Sequence, residues 1–157
     1  MRAREIMDTT FETLRPDNTV AEAVQRFSAV SSTLGRKMFG LMVTDGEERL
    51  VGMLSMYDIL LFIQPKHVHI WGEMDDLEPT ALFDELLGKV KNIHVGDIMT
   101  TDVVTIHPET HVLLIVDLML KKHIRRLPVV DGDSVVGIVY VSDVFYQLMG
   151  RIVEPHS

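Results

Sequence analysis

The chain carries a near copy of itself. Ile6-Met7, Thr13, Pro16, Val20 and Val24 recur as Ile98-Met99, Thr105, Pro108, Val112 and Val116, each 92 residues later. Asp45-Gly46 returns 86 residues later as Asp131-Gly132, and Gly52 and Asp58 return 85 residues later as Gly137 and Asp143. A unit present twice, its second copy lacking only short inserts, predicts two similar halves that face one another. The falling offset places six extra residues in the first copy, near Ser31 to Lys37.

The local patterns agree between the copies. Val20, Ala23, Val24 and Phe27 stand at i, i+3, i+4 and i+7, the stripe of an amphipathic helix; Thr19 with Glu22 has the spacing of a capping box, and Asn18 is an equally acceptable cap one residue earlier. Val112, Ile115, Val116 and Met119 repeat that stripe. Asp-Gly turns then join short β-rich runs, Gly40 to Leu54 in one copy and Leu127 to Val139 in the other, the pattern of a hairpin. A further helix begins near Asp58 and near Asp143. Each copy therefore reads strand, helix, strand, strand, helix, preceded by a segment carrying Ile-Met.

A unit of this size is marginal alone, so the expected fold class is α+β, with two pseudo-symmetric repeats stacked sheet to sheet. The expected boundaries are a first repeat over 1–63, a linker over 64–93 and a second repeat over 94–152. In the linker, Leu82, Phe83, Leu86, Leu87, Val90 and Ile93 recur at helical spacing and predict one extra helix. Met38, Met42, Met53, Met56 and Met119 are expected to fill irregular gaps between the two sheets.

Composition narrows the function. With 23 acidic against 15 basic residues and a net charge of −8, the chain repels a phosphodiester backbone, and nucleic acid is not an expected partner. Its one dense basic cluster, Lys121-Lys122 with Arg125-Arg126, suits a single small anion. The absence of cysteine removes disulfides, thiolate metal sites and a thiol nucleophile. No signal-like or membrane-length apolar segment is present, so a cytoplasmic protein with no membrane partner is expected. No Gly-x-Ser-x-Gly, Walker lysine or His-Glu-x-x-His occurs, and the chain does not read as an enzyme.

The ordered pattern resembles a pair of cystathionine-β-synthase (CBS) domains, the tandem called a Bateman module. The residues that carry the resemblance are Val95-Gly-Asp-Ile-Met-Thr100, Val103-Val-Thr-Ile-His-Pro108, Ile124-Arg-Arg-Leu-Pro-Val-Val-Asp-Gly132 and Gly137-Ile-Val-Tyr-Val-Ser-Asp143, with Gly52-Met-Leu-Ser-Met-Tyr-Asp58 in the first copy. It implies a stand-alone regulatory module with no catalytic cofactor, binding an adenine nucleotide (AMP, ADP or ATP) in clefts between the repeats. In the Gly-x-x-Thr/Ser-x-x-Asp junction of that family, the Asp accepts both ribose hydroxyls and the Thr/Ser hydroxyl donates toward phosphate. A carboxylate at a helix N-terminus is independently a strong, oriented acceptor for a diol.

Carried onto this sequence, the resemblance implies a complete nucleotide site of Ser55, Asp58, Thr101, Val103, Val104, Arg125 and Arg126. A second, weaker cleft would use Asp143, with Tyr140 where Thr or Ser is expected, facing Thr10 and Phe11, with Arg36 or Lys37 restoring positive charge. Read singly, Asp58 and Asp143 are ordinary first-turn residues worth about 0.5–1 kcal/mol each. Their recurrence at matched spacing from a glycine is what points to a ligand.

Three functions follow. The first is a non-catalytic nucleotide sensor, a homodimer through the apolar helices Ile59 to Ile63 and Val144 to Met149, that passes occupancy to an unknown regulated protein. The second is a ligand-free interaction or scaffolding module. The third is a metal sensor using His67 and His69, which share a face if their segment is extended.

Overall fold

A computed structural model of the chain describes residues 1–35, 37–64 and 79–154. It is mixed helix and strand, as expected, and sorts into two compact units: Met1–Phe11, Gly46–Leu50 and Val103–Ser157 in one, Glu12–Asp45 and Val51–Asp102 in the other.

In the unit built on Glu12–Asp45, β1 (Thr13–Leu14), β2 (Gly40–Thr44) and β3 (Leu50–Ser55) form a sheet in that order. β1 runs parallel to β2, with Thr13 opposite Met42 and Leu14 opposite Val43. The crossover is α2 (Val20–Leu34). Its predicted capping box is present: the Thr19 N–H donates to Glu22 Oε1 at 3.0 Å and the Glu22 N–H to Thr19 Oγ1 at 3.2 Å. Gly35, with φ at 69°, ends it in a left-handed turn that disfavours any side chain.

The buried stripe of α2 is narrower than the sequence suggested. Val20, Ala23 and Val30 are buried and Phe27 half-buried, whereas Val24 is 46% exposed. At 100° per residue Val24 lies about 80° from the centre of that stripe, beyond what a three-stranded sheet covers. α3 (Met56–Ile63) follows β3, and the extra helix of the linker is α4 (Pro79–Val90), packed against α3. Val90 is buried there, while Phe83 and Leu87 are exposed.

The other unit pairs β4 (Arg126–Asp131) with β5 (Ser134–Tyr140) in an antiparallel hairpin whose turn holds Gly132 at φ 64°. Its helices are α6 (Val112–Lys122) and α7 (Val141–Val153). Val112, Ile115 and Met119 form the buried face of α6. The expected leading strand of the second copy shrinks to one parallel bridge, Ile106 to Val129. That bridge is the counterpart of Leu14 and Val43 in β1 and β2, so the register survives where the strand does not.

The short Ile-Met segments do not pack on their own copies. α1 (Ala3–Ile6) buries Ala3 and Ile6 in the core of the Val103–Ser157 unit, with Ile106, Ile115, Leu127 and Val139. α5 (Val95–Ile98) buries Val95 with Leu14, Ala23, Leu41, Val43 and Leu54. Each segment also makes a matched pair of backbone hydrogen bonds. The Asp8 N–H donates to Ile138 O at 2.8 Å and the Ile138 N–H to Asp8 O at 3.0 Å. The Met53 N–H donates to Thr100 O at 2.9 Å and the Thr100 N–H to Met53 O at 2.8 Å. The compact units and the sequence copies therefore do not coincide.

Among the methionines, Met38, Met42 and Met119 are buried and Met53 is half-buried. Met56 is exposed on the first turn of α3. No helix among the described residues is long and apolar enough to cross a membrane.

Candidate functional site

Asp58 occupies the third position of α3, where the backbone amides of the first turn point outward without helical partners. Ser55 is the N-cap. Its N–H donates to Asp58 Oδ2 at 2.8 Å and its hydroxyl to the same oxygen at 3.2 Å, while the Asp58 N–H reaches Ser55 Oγ at 3.4 Å. The hydroxyl of Thr100 donates to the other oxygen, Asp58 Oδ1, at 3.0 Å. An ionised carboxylate offers about four acceptor positions, and these contacts fill three. The group is half-buried and fixed in orientation, and it presents an acceptor to solvent beside a rotatable hydroxyl.

Ser55 and Asp58 thus come together as the sequence predicted. Thr101 is exposed and lies in the same unit, next in the chain to Thr100, which the sequence reading passed over. Thr100 directly follows Ile98-Met99 with nothing in the sequence to single it out, and only the fold pairs it with Met53 on the strand that leads to Ser55.

Val103 and Val104 are half-buried in the other unit, where Val104 packs against the core. Arg125 is exposed, and Arg126 opens β4 directly opposite Tyr140. Burial pushes the Arg126 guanidinium below its usual range, the Tyr140 side chain opposes that shift, and the neighbouring Arg125 adds to it. The guanidinium stays a cation at physiological pH, as arginine does in proteins.

The matching position in α7 is Asp143, again third in its helix, but its setting differs. The N-cap is Tyr140, whose side chain makes no capping bond, and Asp143 has no hydrogen bond or ion pair to another described residue. Asp8 stands where Thr100 stands in the first arrangement, and its Oδ1 accepts the Thr10 N–H at 2.9 Å. Phe11 is half-buried in the same unit and Lys37 is exposed in the other, while Arg36 lies outside the described residues. His67 and His69 also lie outside them, and among the described residues no three His, Asp or Glu side chains gather as a metal site.

Comparison with known proteins agrees with this fold. A chloroplastic CBS domain-containing protein of Arabidopsis thaliana, CBSX1, is 29% identical over 133 residues, 80% of this chain. The chain spans 54% of that relative's length. A crystal structure of CBSX2 in complex with AMP is similar with a TM-score of 0.71 at 23% identity, over 96% of this chain and 98% of that one. The CBS domain pair of protein MJ0100, in complex with 5′-methylthioadenosine and S-adenosyl-L-methionine, has a TM-score of 0.65 at 22% identity, over 96% and 98%. The CBS domain family model itself matches twice, at residues 3–65 and 95–150, and the chain belongs to that family as a tandem pair of CBS domains.

Proposed function

We propose that the chain is a non-catalytic regulatory module of the cytoplasm that binds an adenine nucleotide, AMP, ADP or ATP, and transmits occupancy to a partner protein. The observation that carries this reading is the Asp58 carboxylate, held at both oxygens at the start of α3 and still offering an acceptor outward. Ser55 and Thr101 accompany it, Val103 and Val104 supply backbone edges for adenine, and Arg125 with Arg126 answers the phosphate charge. The AMP held by CBSX2 and the adenosyl ligands held by the MJ0100 pair support the same ligand class. Tyr140, Asp143, Thr10, Phe11, Arg36 and Lys37 form the weaker second set.

The test is a thermal-shift panel of AMP, ADP, ATP, S-adenosylmethionine and a guanine nucleotide on the chain and on Asp58→Ala. A ligand at 100 times its Kd adds about 2.7 kcal/mol of stability, readily seen in a melt. A shift with an adenosyl ligand that disappears in Asp58→Ala supports the sensor, and no shift with any of them overturns it.

A second reading, an interaction module without a ligand, is favoured by the apolar faces of α3 and α7. Tyr57, Leu60 and Leu61 are exposed on one, and Phe145, Tyr146 and Ile152 on the other. In either reading we propose a homodimer through these faces, since exposed apolar surface of this kind marks association.

A further inference from the structure

Resting on the reading of Asp58 as a diol acceptor, we propose that Thr100 is the positioning residue of this site, holding the Asp58 carboxylate in the orientation that offers one acceptor on each oxygen to a ribose.

A carboxylate tied at a single oxygen swings, because its terminal torsion is broad and two-fold. Ser55 ties only Oδ2. The tie to Oδ1 comes from Thr100, at 3.0 Å. Thr100 is itself locked by two backbone hydrogen bonds to Met53, two residues before Ser55, so both ties are referenced to the same strand. A vicinal diol needs two acceptor positions, and one of about four is free. The Ser55 hydroxyl is the contact that can turn away, since Oδ2 keeps the backbone N–H when it does. One position is then open on each oxygen, with the Thr100 hydroxyl still in place.

The other unit supplies a natural contrast. At the register position of Thr100 it carries Asp8, an acceptor with no hydrogen to give, and in place of Ser55 it carries Tyr140, which does not cap. Both ties are missing together, and Asp143 is left without a hydrogen bond to another described residue.

The experiment is calorimetric titration of AMP and 2′-deoxy-AMP into the full chain as wild type, Thr100→Val, Thr100→Ser and Asp58→Ala, with a melting temperature for each. Loss of a hydrogen bond to a charged group predicts that Thr100→Val weakens AMP by about tenfold or more. Binding of 2′-deoxy-AMP should fall less, narrowing the ratio between the two, and Thr100→Ser should restore it. A merely structural role would lower the melting temperature and weaken both ligands equally, and Thr100→Ala separates the cases if valine disturbs the bridge to Met53. An unchanged ratio in Thr100→Val, with AMP binding still abolished in Asp58→Ala, overturns the role of Thr100 alone. AMP binding that survives in Asp58→Ala, or is absent in wild type, overturns the Asp58 reading and this proposal with it.

Discussion

Gly52 lies so close to Thr100 that a β-carbon added to it would stand 2.8 Å from the Thr100 carbonyl oxygen and 2.7 Å from Met99 Sδ. The same relation holds in the other unit, where a β-carbon on Gly137 would stand 3.0 Å from Asp8 O and 2.8 Å from Met7 Sδ. These two glycines exist for close backbone approach, and their φ values require no special conformation. Replacing either by alanine forces apart a pair of backbone hydrogen bonds, so Gly52→Ala and Gly137→Ala should each destabilise by about 1–3 kcal/mol in urea unfolding.

Gly88 is the control. It sits inside α4 with nothing within 4 Å of an added β-carbon. Gly88→Ala should stabilise by about 0.5–1 kcal/mol in the same assay, through helix propensity alone.

The two aspartates at the third helical position should respond unequally without any ligand. Asp58→Ala removes a reciprocal cap and should cost about 1 kcal/mol. Asp143→Ala removes no hydrogen bond to a described residue and should cost less. Denaturation midpoints of the two variants, measured side by side, check the order.

Glu22 supplies a pH signature. The Thr19 N–H holds its carboxyl below the ordinary range, aided by the Thr19 hydroxyl and opposed by desolvation. A folded-state value depressed below the unfolded one contributes stability above the unfolded pKa and loses it as pH falls through the folded pKa. The advantage of wild type over Glu22→Gln should therefore be present at neutral pH and vanish on acidification through the depressed range, and melts from pH 7 to pH 3 read it directly.

If Arg125 and Arg126 answer phosphate, Arg126→Ala should weaken AMP more than adenosine, by about tenfold relative to it. Equal losses for the two ligands would remove arginine from the phosphate contact.

Much of this was legible in the chain. The repeat, the hairpins around the Asp-Gly turns, the Thr19 capping box and the linker helix follow from local pattern and are observed. Three features were not legible because they depend on tertiary context. Val24 matches the helical stripe, yet only the width of the sheet decides that it stays exposed. Thr100 looks like any polar residue after Ile-Met, and its role appears only when Met53 is placed opposite it. The partner of each Ile-Met segment was equally hidden, since periodicity fixes which residues are buried but not which core receives them.

That crossed packing also sets when each core can close during synthesis. The sheet that begins at Thr13 is translated first, yet it lacks Val95 until the ribosome has passed the linker. Ala3 and Ile6 are translated well before Leu127 and Val139, the residues whose core they share. Neither core is complete until residues translated long after its first members have emerged. Pairings of such long sequence separation make folding slow and leave apolar surface open during it.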